Sequence, residues 1–187
     1  MLRFNDHGRL VGEHAFLSAS KYSWLRYTDE RLEDAWRTHR AAAMGTRLHA
    51  LAAEHISLGI RMPRTGATLC QYINDAIGYR MTPEQVLFYS ANCFGTVDAI
   101  CFDERKHLLR IHDLKTGTSK ASMDQLMVYA ALFCLEYDYS PIDIDFELRI
   151  YQNDEVTVFN PTGEEVVQVI SKIQHADRII ESLKEME

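Results

Sequence analysis

The sequence predicts an α/β fold, an α+β arrangement built on a mixed sheet, and three observations carry that prediction. The first half of the chain is helical in pattern, with no proline between residues 28 and 62. From residue 86 the pattern changes to short runs of β-branched, aromatic and aliphatic residues. A helical segment then separates the third such run from a fourth, and a crossover of that kind implies a parallel pairing. The order helices, three strands, helix, two strands, helix gives a central mixed five-stranded sheet flanked by helices, with a helical N-terminal extension.

Each element has its own signal. Residues 18–27 read as a short helix capped by Ser18 or Ser20, with Tyr22, Trp24 and Leu25 as apolar bulk. Thr28 or Asp29 caps a longer, alanine-rich helix that Gly59 and Pro63 end, and a third helix covers 67–77 before Gly78. Strands are expected over 86–94, 96–102 and 107–114, the last two joined by a polar turn at 103–106. A helix over 120–136 follows the break at 116–119. Ile142, Ile144, Phe146, Leu148 and Ile150 alternate as a half-buried strand, which pairs with 155–159 across a turn at Asn153 and Asp154. A C-terminal helix spans 163–185.

At 187 residues the chain fits a single domain, 1–187, whose residues 1–80 are mostly helical and 81–187 supply the sheet and the last helix. A hydrophobic share of 47% with 25% charged residues excludes a disordered chain. The opening residues hold no apolar run of signal-peptide length, and no stretch approaches the roughly 18 apolar residues of a membrane span. A soluble, cytoplasmic protein with no membrane partner is the expectation. Cys70, Cys93, Cys101 and Cys134 form no C-x-x-C pair, so they read as small buried hydrophobes rather than structural zinc ligands.

The net charge is -7, yet it is unevenly spread. Residues 21–64 carry eight Lys/Arg against five Asp/Glu, whereas residues 136–187 carry four against thirteen. A basic N-terminal portion suits a phosphate backbone, and the acidic C-terminal portion suits solvent or a protein partner. Overall acidity argues against tight non-specific duplex binding but leaves room for an enzyme whose metal ions bridge carboxylates to phosphate.

The chemistry concentrates between residues 95 and 117. Leu109, Ile111, Asp113 and Lys115 share one parity, so an apolar strand face ends in a carboxylate and an ammonium. Burying both charges costs several kcal/mol per ion unless they pair or bind a metal. Asp98 shares parity with Ile100 and Phe102 and is expected on a core-facing row. If the 103–106 turn closes a hairpin, Asp98 and Asp113 meet at the same end of an antiparallel pair. Two carboxylates and a lysine suit phosphodiester hydrolysis with Mg²⁺ or Mn²⁺, one or two ions. An Asp-x-Lys triplet alone reads as a structural ion pair; the Gly-x-x-Asp strand before it tips the reading towards a catalytic set of Asp98, Asp113 and Lys115.

In this region the sequence resembles the PD-(D/E)XK nuclease superfamily, and within it the RecB-like branch with CRISPR-associated and viral exonucleases. Four pieces in order carry the resemblance: Gly45-Thr46-Arg47-Leu48-His49, Gly95-Thr96-Val97-Asp98, Asp113-Leu114-Lys115-Thr116-Gly117, and Gln125-Leu126-Met127-Val128-Tyr129. The Ser18-Ala19-Ser20 opening is weakly similar. The resemblance implies a restriction-endonuclease-like core in which His49, Asp98, Asp113 and the Leu114 carbonyl bind metal and Lys115 serves catalysis. On its own residues, His49 reads first as a buried histidine bonded to backbone and only second as a ligand. The resemblance also sets Gln125 and Tyr129, which share a helix face, beside the catalytic centre to hold Lys115 or substrate phosphate. Glu54 is an outer partner for His49 or an exposed helix residue. Relatives of this branch that hold an iron–sulfur cluster place three cysteines near the C-terminus; here none follows Cys134, so no cluster is expected. No G-x-x-x-x-G-K-[ST] loop is present either.

On the substrate side, Lys21, Arg37, Arg40 and Arg47 offer cations on the N-terminal helices, with Arg26 beside them. Trp24, Trp36 and Tyr27 read as core plugs between helices or as stacking partners for unpaired bases. The resemblance therefore implies a DNA exonuclease of repair, recombination or viral genome processing that acts on single- or double-stranded ends. An endonuclease or flap nuclease of the same fold is the alternative within the class. From another class, the reading is a non-catalytic nucleic-acid-binding or assembly protein, and either admits a protein partner or homo-oligomer. A metal-independent small-molecule enzyme has no supporting motif.

Overall fold

The computed structural model describes residues 5, 6, 8–10, 12 and 14–186. The chain divides into two compact units, Met1–Met44 and Gly45–Glu187, and helix α1 (Asp29–Leu58) contributes residues to both.

In the first unit, 3-10 turns cover Gly8–Leu10 and Ala19–Arg26. The helix expected over 18–27 is thus two tight turns broken at Lys21, whose φ and ψ are -112° and 53°. The break has a local cause. Ser18 caps through its side chain, which accepts from the Ser20 N–H, while its carbonyl takes both the Lys21 N–H and the Trp24 indole at 3.0 Å. Serine bonding of this kind competes with a regular helix. Thr28 then caps α1 by accepting from the Arg31 N–H at 3.3 Å. Trp36 stacks on His39 and meets the edge of Phe16, with ring centroids 5.6 and 5.0 Å apart.

The second unit centres on a five-stranded sheet in sequence order, with β1 (Thr82–Ser90), β2 (Cys93–Asp103), β3 (Leu108–Leu114), β4 (Asp145–Gln152) and β5 (Glu155–Phe159). Only β3 and β4 run parallel, with α3 (Asp124–Tyr137) as the crossover between them. The sheet is mixed and five-stranded, as the sequence predicts. Apolar residues leave both faces of the sheet. Leu87, Val97, Leu109, Ile111 and Leu148 bury against α3 and α4 (Gly163–Lys184). Ala99, Leu114 and Tyr151 bury with Ala52 and Ile56 of α1 and Tyr72, Ile73 and Ala76 of α2 (Thr68–Gly78). Burying apolar surface on both faces is the dominant favourable term holding such a three-layer stack.

Strand β1 begins at Thr82 rather than at 86, and three further boundaries differ from expectation, each for a physical reason. The apolar run 86–94 is two strands, not one: β1 ends at Ser90 and β2 begins at Cys93. The turn between them is fixed by Asp177 of α4, which accepts from the Ser90 hydroxyl at 2.6 Å and the Asn92 amide at 2.8 Å. Helix α3 starts at Asp124 rather than near 120, because Gln152 holds the preceding segment in a non-helical, bent path. Its amide donates to the carbonyls of Gly117 and Ser119, and its oxygen accepts from the Ala121 N–H. Strand β4 begins at Asp145, leaving Ile142 57% exposed outside the ladder.

Turns follow their chemistry. Asn153 and Asp154 both adopt positive φ, 52° and 62°, the conformation that a two-residue hairpin of this twist requires. A full capping box starts α4: Thr162 accepts from the Glu165 N–H, and Glu165 accepts from the Thr162 N–H. At the edge of the sheet, the Phe88 N–H donates to the Glu136 carboxylate of α3 at 2.8 Å. The four cysteines are free thiols; Cys134 is buried and the others half-buried. Among the described residues, no helix is long and apolar enough to cross a membrane.

Candidate active site

The β2–β3 ladder is continuous from Asp103↔Leu108 to Ala99↔His112 and stops there. One step further the next residues are Asp98 and Asp113, so both carboxylates sit where the two strands part. Asp98 Oδ2 accepts the Leu114 N–H at 2.8 Å, a bond that takes over where the ladder ends. Its other oxygen lies 3.4 Å from His49 Nδ1.

The alternation expected around Asp98 does not persist. Val97 and Ile100, of opposite parity, share one core, while Ala99 faces the other. Opposite Asp98 the register passes from Pro83↔Ala99 to Gln85↔Val97, and the residue between, Glu84, has a φ of 50°. Asp98 thus leaves the core-facing row assigned to it, with its carboxylate at His49 and the Leu114 amide.

Asp113 is the deepest charged group of the site, its side chain only 4% exposed. Lys115 Nζ donates to Oδ1 at 3.0 Å and lies 2.9 Å from Oδ2. Oδ2 itself is buried with no bond of hydrogen-bond geometry. Desolvation, then the neighbouring Asp98 charge, pushes the Asp113 carboxyl above the usual range, and Lys115 works the other way. The His49 imidazole is shifted up chiefly by its bond to Asp98, against the opposing effect of burial.

Lys115 is held from two sides. Besides Asp113, its ammonium donates to Gln125 Oε1 at 2.7 Å. The Gln125 amide donates to the Tyr129 hydroxyl at 3.2 Å, and that hydroxyl donates to the Thr96 carbonyl at 2.7 Å. One turn of α3 thereby ties the lysine to β2. Two glycines make the close approaches possible. A Cβ on Gly95 would lie 3.0 Å from Tyr129 Cε1, and one on Gly45 would lie 2.7 Å from Thr116 Oγ1.

The structure therefore brings together His49, Asp98, Asp113, Leu114, Lys115, Gln125 and Tyr129. Arg47 is exposed on α1, two residues before His49, and Glu54 is exposed further along that helix. Lys21, Arg37 and Arg40 belong to the first unit and are exposed. Arg37 pairs with Glu33 at 2.9 Å and approaches Asp34 at 3.5 Å.

Sequence reasoning missed Glu84. One carboxylate oxygen of Glu84, one of Asp98 and one ring nitrogen of His49 lie within 4.8 Å of one another. Burial and the Asp98 charge push the Glu84 carboxyl up. Its signal was hidden because Pro83-Glu84-Gln85 reads as a polar lead-in to a strand. Only the register with β2 sets Glu84 opposite Asp98.

A small cavity of about 220 Å³ beside Lys115 is lined by Leu48, Leu69, Leu114, Lys115 and Thr116. A larger apolar groove of about 610 Å³ between α3 and α4 includes none of these carboxylates. No family model, curated protein or solved structure matches the chain.

Proposed function

We propose that the chain is a metal-dependent nuclease that hydrolyses phosphodiester bonds in DNA. The observation that carries this reading is the pairing of Asp98 and Asp113 at the parting of β2 and β3 with Lys115 fixed between Asp113 and Gln125. A structural ion pair needs only one partner for Lys115. Here the pair stands beside a second carboxylate and a histidine. An oxygen-rich donor set, with two neighbouring carboxylates and one ammonium, fits a hard divalent cation, Mg²⁺ or Mn²⁺.

In this reading Asp98, Asp113, the Leu114 carbonyl and His49, which lies 3.4 Å from Asp98, would hold the ion. A bound divalent ion supplies charge to polarise the phosphate and to lower the pKa of an attacking water. Asp98 is held by the Leu114 N–H at one oxygen and sets the other beside His49. Lys115, pre-set by Asp113 and Gln125, carries a positive charge to neutralise the one that grows on phosphate oxygens. Gln125 and Tyr129 are positioning residues: they act on Lys115 through hydrogen bonds rather than on the substrate. Together with the four ordered motif pieces, this arrangement supports a RecB-like PD-(D/E)XK nuclease, and that resemblance favours an exonuclease acting at strand ends.

The test is incubation of end-labelled single- and double-stranded DNA with Mg²⁺ or Mn²⁺, with closed circular DNA alongside. Wild type is expected to degrade linear substrate and spare the circle. Asp113→Ala and Lys115→Ala are each expected to lower the rate at least ~100-fold, the scale of losing one preorganised charge in a catalytic site. Cleavage of the circle would make the enzyme an endonuclease. No cleavage of any DNA by wild type, or unchanged cleavage by both variants, would remove the enzymatic reading.

A further inference from the structure

Helices α3 and α4 cover one face of the sheet, and the apolar groove of about 610 Å³ lies between them. Met127, Val128, Val169, Ile173 and Ile180 line it. On α4 the lining positions 165, 169, 173, 177 and 180 recur every three or four residues and so form one helix face. At about 1.5 Å per residue, the stripe from Glu165 to Ile180 is ~22 Å long, roughly four helical turns. Val128 and Ile180 are still 36% and 38% exposed, and Asp124, Glu165, Gln168 and Lys172 are exposed beside them. The groove is therefore open to solvent. A small ligand buries most of its surface in its site, whereas an open strip of this length suits an elongated segment.

Charge selects among elongated occupants. Three carboxylates, Asp124, Glu165 and Asp177, line the groove against the single ammonium of Lys172. Hydrogen bonds from Ser90 and Asn92 hold the Asp177 carboxyl below its usual range, so it stays charged. The layer around the groove has the same sign, since residues 136–187 carry four Lys/Arg against thirteen Asp/Glu. A second copy of the chain, with its own net charge of -7, would set this acidic face against its like. A cationic partner meets the opposite charge.

We infer that the α3–α4 groove docks a basic amphipathic helix of a partner protein, with the partner's apolar face in the groove and its Lys and Arg side chains against Asp124, Glu165 and Asp177. Laying an amphipathic helix into a hydrophobic groove is a recurrent mode of recognition. Val128 and Ile180 supply apolar contact, which carries affinity, and the carboxylates orient the helix and speed its arrival. The groove includes none of His49, Asp98, Asp113 or Lys115, so the inference stands apart from the nuclease reading.

The experiment follows the fluorescence anisotropy of two labelled peptides, each about four helical turns long, added to the full chain. One has Leu at every third or fourth position and Lys between; the other has Glu in place of each Lys. Wild type is expected to bind the Lys peptide and not the Glu peptide. Val128→Asp and Ile180→Asp, both at exposed positions, are each expected to weaken binding at least ~10-fold, the scale of losing a central apolar contact. Each also adds a negative charge, so a peptide held by charge alone would bind these variants more tightly, and that result overturns the inference. Glu165→Gln keeps a residue able to complete the capping box. It is expected to bind ~2–5-fold more weakly at low salt and as wild type does at high salt. All three variants are expected to melt close to wild type. Wild type that binds neither peptide, or both equally, overturns the inference, as does wild-type affinity in both Asp variants. A wild-type dimer in sedimentation that Ile180→Asp makes monomeric gives the groove to a second copy and overturns it too.

Discussion

Buried His112 lies next to Asp113 in sequence but belongs to a different system. Its ring is wholly inaccessible, Nδ1 meets the Tyr151 hydroxyl at 3.2 Å, and Nε2 has no partner. The Tyr151 hydroxyl donates to Asp75, which also holds Arg149 at 3.2 Å. Burial, followed by the charges of Arg149 and Arg110, depresses the His112 imidazole to about 3. An unfolded histidine titrates near 6.5, so below that pH the unfolded chain binds a proton that the native state refuses. Stability contributed by the neutral ring is complete above pH ~6.5 and is lost as pH falls towards 3, at up to roughly 1.4 kcal/mol per pH unit. His112→Phe removes the group. Its unfolding midpoint in urea is expected to fall less than that of wild type between pH 6.5 and 4, and equal slopes would contradict the burial argument. At the same scale, the candidate-site residues legible in the sequence are those within a continuous motif, Asp113 and Lys115 above all. Glu84 stayed hidden because its meaning lies in a cross-strand register, and no spacing within β1 encodes the identity of its neighbour on β2.

Elements were legible where local chemistry decides them, and less so where a distant side chain does. The Asn153–Asp154 turn, the Thr28 cap and the Thr162 capping box act within a few residues, and their signals survive in the sequence. The start of α3 is set instead by Gln152, about thirty positions away in sequence, and the β1–β2 turn by Asp177 of α4. Neither leaves a local trace. The capping box makes a prediction at this scale. Thr162→Ala removes one of its two reciprocal bonds and is expected to cost about 1 kcal/mol, lowering the melting temperature by ~2–4 °C in a chain of this size. Thr162→Ser, which keeps the hydroxyl, is expected to melt close to wild type in the same calorimetric scan. Alternation in 142–150 makes another. Leu148 is fully buried and Ile142 is 57% exposed despite their shared parity. Leu148→Ala is expected to cost ~2–5 kcal/mol and Ile142→Ala less than about 0.5 kcal/mol, read from denaturant midpoints.

For the molecule as a whole, the mixed five-stranded sheet followed from the sequence because the α3 crossover implies a parallel pair. The site's address followed too, since a hairpin with its turn at 103–106 brings Asp98 and Asp113 to one end. What the sequence did not reveal is the break in alternation at Asp98, where Val97 and Ile100 share one core and Ala99 faces the other. The sheet also has two outer strands, and a bare outer strand offers its amides to any other chain that comes within reach. On β1, one of those amides is already spoken for: the Glu136 carboxylate receives the Phe88 N–H. The acidic residue thus does more than brace α3 against the sheet. It sets a negative charge along a rim that also carries the exposed Val86, Phe88 and Phe94, and so discourages copies of the protein from zipping into fibrils through that rim.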